Sequence, residues 1–513
     1  MGVSLIYALI DSGFGSSETH AFSLSIVLGI SIGYASFIRS RSLGNMDDVR
    51  PTDAFFIVTA TWIVAALFGA LPYFFYGWLE QRGCGWLNTP PRSSLGSEFC
   101  FATNAFFESM SGFTTTGSTI IERGLWATYE NGVGYLADGA VGLPRSVLLW
   151  RSVTHLLGGM GIVVLGVAVL PLLGVGGMQL FHAEVPGPIN EQLAPRVGEG
   201  AKLLWKIYGM MTLILALLYW GAGMDHFEAL CHSMSTMATG GFSTRVNSMA
   251  GFSSPLIEWI SIFFMFLAGV NFTLYTLLPK QLSSLRSNRE FMLYSLITLF
   301  STGAIACALS QHPSLSGAES PVRTAAFQAL SVLTTTGYAT ADFEQWGSAP
   351  IALFIMIALM FIGGCAGSTG GGVKVIRHLL VLRICFREFF YLLHPTGKKS
   401  VRNDGVVISP SILRSIVGFI GLYILLLFLG ALCFVIEGQD VTTSLTASAA
   451  SLGNIGPGLG EVGPTDDFSG LSMYGKWVSV ILMLMGRLEI LTVMVLFSPA
   501  YWSAWSMNRR VAL

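Results

Sequence analysis

The chain has 513 residues, of which 52% are hydrophobic and only 11% charged, with a net charge of −1. Soluble domains carry about 25% charged residues, so most of this surface must face something other than water. The near-zero charge argues against a nucleic-acid partner and against a polybasic anchor, leaving an all-α polytopic protein of the lipid bilayer.

In chain order, the apolar stretch ahead of Asp11 is too short to cross a bilayer, which takes roughly 20 residues. It reads as a partial helix, or the start lies upstream. No basic run precedes it, so no secretory signal peptide is evident. Spans are expected over 21–38, 54–79, 147–173, 207–224, 259–279, 291–318, 347–373, 415–436 and 476–499, the last carrying Arg487 and Glu489.

Most of the 28 Lys and Arg fall in five clusters: Arg39, Arg41 and Arg50; Arg196, Lys202 and Lys206; Lys280, Arg286 and Arg289; Arg377 to Arg402; and Arg509 with Arg510. Each follows a pair-completing span, which places all five in the cytoplasm by the positive-inside rule. The seven Cys show no metal-ligand spacing. Cys231, Cys307, Cys365, Cys385 and Cys433 sit in or beside apolar segments and read as inert packing. Cys84 and Cys100 bracket a polar insert on the expected outer side, where either a disulfide or two unpaired thiols fit.

A Ser/Thr/Gly-rich phrase recurs four times at about hundred-residue spacing: ESMSGFTTTGST, HSMSTMATGGFST, QALSVLTTTGYAT and TASAASLGNIGPG. Aligned, they place one glycine at a common offset: Gly117, Gly241, Gly337 and Gly456. Each phrase lies between two spans, giving span, half-helix, extended loop, span. The half-helices are expected to start at Asp225, at Ser320-Pro321, at Asp440 and, for the first, at Thr103 or Asn104. The implied organisation is an N-terminal extra segment with a cytoplasmic loop (1–52), then four repeats over 53–174, 204–279, 290–394 and 408–500.

Non-helical backbone at membrane depth is tolerated only where it is buried in protein or lines water, so four such loops imply one shared aqueous axis. Gly adopts conformations that let successive carbonyls turn toward that axis, and rings of carbonyls replace the hydration shell of a cation. Four half-helix C-termini aimed inward, each carrying about half a negative charge, favour a cation there. The candidate filter residues are Thr114, Thr115, Thr116 and Gly117; Ala238, Thr239, Gly240 and Gly241; Thr334, Thr335, Thr336 and Gly337; and Gly453, Asn454, Ile455 and Gly456. One such phrase alone reads as helix packing; four in register between spans do not.

The run Gly363, Gly364, Gly367, Ser368, Thr369, Gly370, Gly371, Gly372 is too glycine-rich for a continuous helix, since each glycine costs about 1 kcal/mol relative to Ala. The span should break there into two pieces joined by a loop, followed by Lys374. The phosphate-loop spacing G-x-x-x-x-G-K-[ST] is absent. Arg487, an intramembrane charge, is a functional candidate by default, with a structural salt bridge as the plainer alternative. An i, i+2 pair does not share a helix face, so Arg487 and Glu489 should have separate partners. Arg145 and Arg151 read as interface anchors and His155 as a packing histidine. No H-E-x-x-H and no G-x-S-x-G with a plausible His partner is present, which argues against an enzyme.

These phrases, with WRSVTHLLGGMGIVVL at 150–165, GGCAGSTGGGVKVIR at 363–377 and GRLEILTV at 486–493, resemble the Trk/Ktr/HKT superfamily, and within it the bacterial TrkH-type membrane subunits, from about Asp53 to Pro499. The resemblance implies a pseudo-fourfold potassium pore inside one polypeptide, with potassium as substrate and no covalent cofactor. It makes Gly117, Gly241, Gly337 and Gly456 the filter glycines; serine at the first is associated in the family with sodium permeation, and this chain has Gly117. It implies a gating loop at 363–372 beneath the filter and an arginine, Arg487, projecting into the path. It further implies a homodimer in the bacterial inner membrane, served by a cytosolic nucleotide-binding regulatory subunit (RCK/KTN-type, TrkA-like). Potassium movement coupled to sodium or protons on the same fold is the alternative. Against it, all four copies run in one direction, without the inversion common in transporters.

Overall fold

Four times along the chain a long apolar helix is followed by a short helix and an extended segment. The long helices are Pro51–Leu79, Val197–Gly221, Arg289–Ser310 and Pro410–Glu437; the short ones are Leu95–Phe113, His226–Met237, Pro321–Leu333 and Val441–Gly453. A third helix completes each copy: Arg145–Val164, Pro255–Ala268, Pro350–Leu359 and Met473–Arg487. Gly2–Asp11 and Ser17–Arg41 precede them. This computed structural model describes residues 1–41, 51–80, 95–121, 143–164, 197–277, 288–312, 315, 320–499 and 501–503.

The short helices are rich in Ser and Thr yet buried, and hydroxyls at their C-terminal ends bond back to the helix backbone. Thr114 and Thr334 donate to Met110 O and Leu330 O, both at 2.7 Å. Three starts follow the sequence signals. The carboxylate of Asp225 accepts from Phe227 N, that of Asp440 from Thr442 N and Thr443 N, and Pro321 follows Ser320. The fourth does not: the first short helix begins at Leu95, and Thr103 and Asn104 are buried inside it. Packing overrides the cap signal, because Phe101 lies against Gly77 of the long helix, where a Cβ would collide with its ring.

Each long helix packs on the short helix of its own copy, and in three of the copies the third helix also packs on the short helix of the next. Arg145–Val164 packs on His226–Met237, Pro255–Ala268 on Pro321–Leu333, and Met473–Arg487 back on Leu95–Phe113, which closes a ring.

Six described helices are long and apolar enough to cross a membrane, and a seventh span is the pair Met473–Arg487 and Leu491–Phe497, bent by 109°. Besides this bent pair, which falls on the expected span 476–499, two other expected spans are broken. The 347–373 stretch is helical only over Pro350–Leu359 and then runs through the glycine-rich loop to Val375–Leu393, as its composition predicts. The 259–279 stretch was expected to be continuous, yet it stops at Ala268 and resumes as Phe272–Leu277. Its freed carbonyls are taken by that same loop: Cys365 N donates to Gly269 O at 2.8 Å and Thr369 N to Ala268 O at 3.4 Å. The break combines a local cap, Asn271 Oδ1 accepting from Thr273 N at 2.9 Å, with these tertiary bonds. Of the cysteines, Cys231 is free and buried, Cys365 is buried, and Cys307 and Cys385 are free and exposed on helix surfaces. Cys100 is disulfide-bonded; Cys84 lies outside the described residues.

Candidate functional site

At the end of each short helix the backbone repeats one pattern. Thr115, Thr239, Thr335 and Asn454 have φ of 50°, 53°, 58° and 54°, and two residues later Gly117, Gly241, Gly337 and Gly456 have φ of 79°, 80°, 79° and 102°. A β-branched residue at positive φ is strained, and three threonines hold it here. Asn, which tolerates the left-handed region, stands at the fourth place.

The four glycines meet in cyclic order. A Cβ on Gly117 would strike Gly240 O, one on Gly241 would strike Thr336 O, one on Gly337 would strike Ile455 O, and one on Gly456 would lie 2.8 Å from Thr116 O. Each glycine thus abuts the carbonyl preceding the next glycine, and only a residue without a side chain fits. All four border one cavity, together with Arg151 and Asp467.

The fourth strand is tied to the first. Asn454 Nδ2 donates to Thr116 Oγ1 and to Met483 O, both at 2.9 Å, and Ser118 Oγ donates to Gly456 O at 3.1 Å. The hydroxyls of Thr114 and Thr116 are 2.8 Å apart, and those of Thr334 and Thr336 2.7 Å. Thr239 Oγ1 donates to Ala238 O at 2.6 Å. Thr115 Oγ1 and Asn454 Oδ1 are buried and, among the described residues, accept from no protein donor.

The loop 363–372 lies against the inner ends of three copies. Gly371 N donates to Thr335 Oγ1 at 2.6 Å, and Thr369 Oγ1 donates to Met237 O at 3.0 Å. A Cβ on Gly371 would strike Gly453 O, and one on Gly370 would lie 3.0 Å from Thr334 O. The neck is closed by Gly363 N to Val373 O at 2.8 Å, while Gly364 O accepts from Val375 N at 3.2 Å. Gly367 O accepts from Phe272 N at 3.0 Å, and Ser368 Oγ from Gly370 N at 3.3 Å. Gly367 and Gly372 take φ of 70° and 66°. Lys374 Nζ folds back onto Gly370 O and Gly371 O.

Arg487 is buried and points at this loop from the fourth copy. Its Nη1 donates to Thr369 O at 2.9 Å and its Nη2 to Gly158 O of the first copy at 3.1 Å. Among the described residues it pairs with no carboxylate, so the salt-bridge alternative is set aside. Glu489 has a separate partner, as the i, i+2 spacing requires: Arg377 Nη2 lies 2.5 Å from Glu489 Oε2. Glu489 and Ile490 carry positive φ, 59° and 45°, at the bend of the last span.

Sequence reading missed three carboxylates. Glu290 Oε1 accepts from Ala366 N at 2.7 Å and Ile376 N at 3.3 Å, holding both ends of the loop. Glu228 pairs with Arg245 at 2.9 Å. Glu108 pairs with Arg151 at 2.8 Å, which corrects the reading of Arg151 as an interface anchor: it is buried beside the candidate filter. Arg145 is partly exposed, 3.9 Å from Asp11. His155 is a packed histidine, its Nδ1 2.8 Å from Ser235 Oγ and its ring stacked on Phe242. For Glu108 the available signal was a glutamate inside an otherwise uncharged stretch, 99–121, which is costly unless paired. Glu228 and Glu290 follow other charged residues at helix starts and gave no such signal.

Residues 52–286 and 304–504 match the TrkH family, described as cation transport proteins. The chain belongs to the TrkH family. Among relatives, it is 38% identical to the Trk system potassium uptake protein TrkH of Halomonas elongata, covering 93% of this chain and 91% of that one. It is 35% identical to the protein of that name from Escherichia coli, covering 98% and 96%. The crystal structure of the potassium transporter TrkH from Vibrio parahaemolyticus superposes with a TM-score of 0.81 at 33% identity, covering 98% of this chain and 96% of that one. This is a multi-pass membrane protein of a transport family, and its relatives are transporters and not enzymes.

Proposed function

We propose that this TrkH-family chain takes up potassium through a carbonyl-lined filter formed by residues 114–117, 238–241, 334–337 and 453–456. The observation that carries the reading is the cyclic contact of Gly117, Gly241, Gly337 and Gly456, each in the left-handed region and each against the next copy's carbonyl. That geometry supports four copies, over 53–174, 204–279, 290–394 and 408–500, around one axis. Potassium, the ion named for its relatives, is the substrate. Thr115 Oγ1 and Asn454 Oδ1 add buried acceptors at the inner end of the carbonyl stack.

The loop 363–372 acts as the gate, with Lys374 neutralising its carbonyls and Arg487 latching Thr369 O while placing a positive charge below the filter. A cation passing there meets both a physical plug and a charge of its own sign. The basic segment 377–402 offers a docking face for a cytosolic nucleotide-binding regulatory subunit of the RCK/KTN type, and the membrane subunit works as a homodimer in the inner membrane with its basic loops inside.

Flux into proteoliposomes of the purified protein tests this, comparing potassium, rubidium, sodium and lithium with and without a sodium or pH gradient. Passive potassium and rubidium uptake is expected. Uptake that requires a second ion's gradient would replace the channel-like reading with coupled transport, and no monovalent flux even in Arg487→Ala would overturn both.

A further inference from the structure

We propose that the buried pair Glu108–Arg151 is a specificity-determining brace, which fixes the strand after Gly117 and ties it to the strand after Gly241. The inference rests on the filter reading above and names residues that hold the carbonyl ring at its radius.

Glu108 is fully buried on the first short helix, and Arg151 is nearly so on the helix that follows, with Nε 2.8 Å from Oε1. The carboxylate then holds the strand. Thr119 Oγ1 lies 3.1 Å from both its oxygens, and Ile120 N donates to Oε2 at 3.1 Å. Arg151 extends the network sideways. Its Nη2 donates to Thr119 Oγ1 at 3.3 Å, its Nη1 donates to Ser243 O of the second copy at 3.2 Å, and its guanidinium lies 4.0 Å from the centre of the Phe242 ring. From the other side, Phe468 N of the fourth copy donates to Thr119 O at 2.8 Å. One ion pair therefore joins the outer strands of two neighbouring copies, and a third copy is bonded to the strand it holds.

At the register of Glu108 the other copies carry neutral groups, the second being braced by an ion pair one helical turn earlier, Glu228 with Arg245. Nine residues before each glycine stand Glu108, His232, Gln328 and Ala447. His232 Nε2 lies 2.9 Å from Ser243 Oγ, and Gln328 Nε2 donates to Ala341 O at 2.9 Å. In the fourth, Thr446, one residue earlier, accepts from Leu459 N at 2.9 Å. Hydrogen bonds to ionised groups are shorter and about twice as strong as neutral ones. The first strand, and the second, which Glu228 holds through Thr244 and Arg245, are therefore held more stiffly than the other two; of these two pairs the first alone also reaches across to a neighbouring copy. A carbonyl ring that yields by a few tenths of an ångström fits the smaller sodium ion better, and stiffness here becomes selectivity. Glu108 also neutralises a guanidinium that borders the outer cavity.

The test is the rubidium-to-sodium flux ratio of the purified full chain in proteoliposomes. Glu108→Gln and Arg151→Lys, the latter keeping the charge but losing the planar fork, should lower the ratio about tenfold, as loss of a buried charge-assisted bond allows. Arg323→Lys is the control. Arg323 pairs with Glu258 at 2.8 Å, an ion pair whose carboxylate is buried and whose guanidinium is somewhat more exposed than that of Arg151, set on the helices Pro321–Leu333 and Pro255–Ala268, and the ratio should stand. Thr119→Val removes the hydroxyl shared by Glu108 and Arg151 while sparing the ion pair, so it reads the brace even if the charge variants fail to fold, and it should lower the ratio less. An unchanged ratio in Thr119→Val and in whichever charge variants fold overturns the brace, as does an equal fall in Arg323→Lys. No rubidium flux in the unsubstituted protein would instead overturn the filter reading beneath it.

Discussion

Gly371 N donates a 2.6 Å hydrogen bond to Thr335 Oγ1, so the intramembrane loop is fastened to the backbone segment proposed to select the ion. Thr335 is itself held at φ 58°. On the proposed gating reading, moving the loop away would free the Thr335 hydroxyl in the same step that clears the path beneath the proposed filter.

Loop latching gives the first prediction. Arg487→Ala removes two hydrogen bonds from a charged donor, each worth about 1.5–3 kcal/mol, together with the charge below the filter. Rubidium flux in the absence of any cytosolic partner should rise tenfold or more, measured in proteoliposomes.

Glu290 is expected to hold the same loop through Ala366 N and Ile376 N. Glu290→Ala leaves Ala366 N and Ile376 N without their acceptor, at a cost of about 1–3 kcal/mol. Basal flux should rise and the melting temperature fall, whereas a lower melting temperature with unchanged flux would make Glu290 purely structural.

Gly241→Ala places a methyl group against Thr336 O in a conformation that costs an L-residue roughly 1–2 kcal/mol. Rubidium uptake should drop by about tenfold or more with the protein still monodisperse on size exclusion. The same change at Gly303, which has open space around it, should leave uptake unaltered.

Outside the membrane, Glu344 is the group whose ionisation should be visible. Burial, then the charge of Asp342, raises its pKa to about 7, and its Oε1 lies beside Gly463 near Asp466 Oδ2. The folded state thus binds the proton more tightly than the unfolded chain. The stability this contributes is fully present below the unfolded pKa near 4.5 and is lost as pH rises through about 7. Glu344→Gln should melt at a higher temperature than the unsubstituted protein at pH 8, with the advantage shrinking toward pH 5; an equal difference at both would refute the assignment.

Composition and repetition by themselves determined the membrane class, the four copies and the registered glycines. These are properties of local chemistry: apolar length, the φ freedom of glycine, and caps such as Asp225 and Asp440. The glycine-rich break after Leu359 was legible for the same reason, because the cost of glycine in a helix is intrinsic to the residue. The tertiary structure decided what depends on contact between copies. Within residues 259–279 only Gly269 and Asn271 hint at a break, Asn271 Oδ1 accepting from Thr273 N at 2.9 Å as a cap; the freed carbonyls are then claimed by Cys365 and Thr369, about a hundred residues later. Nothing around Arg151 announces a brace; it exists because the ring closure sets Glu108, Thr119 and Ser243 about one guanidinium. A buried charge must find its partner in space, and sequence separation does not record which copy supplies it.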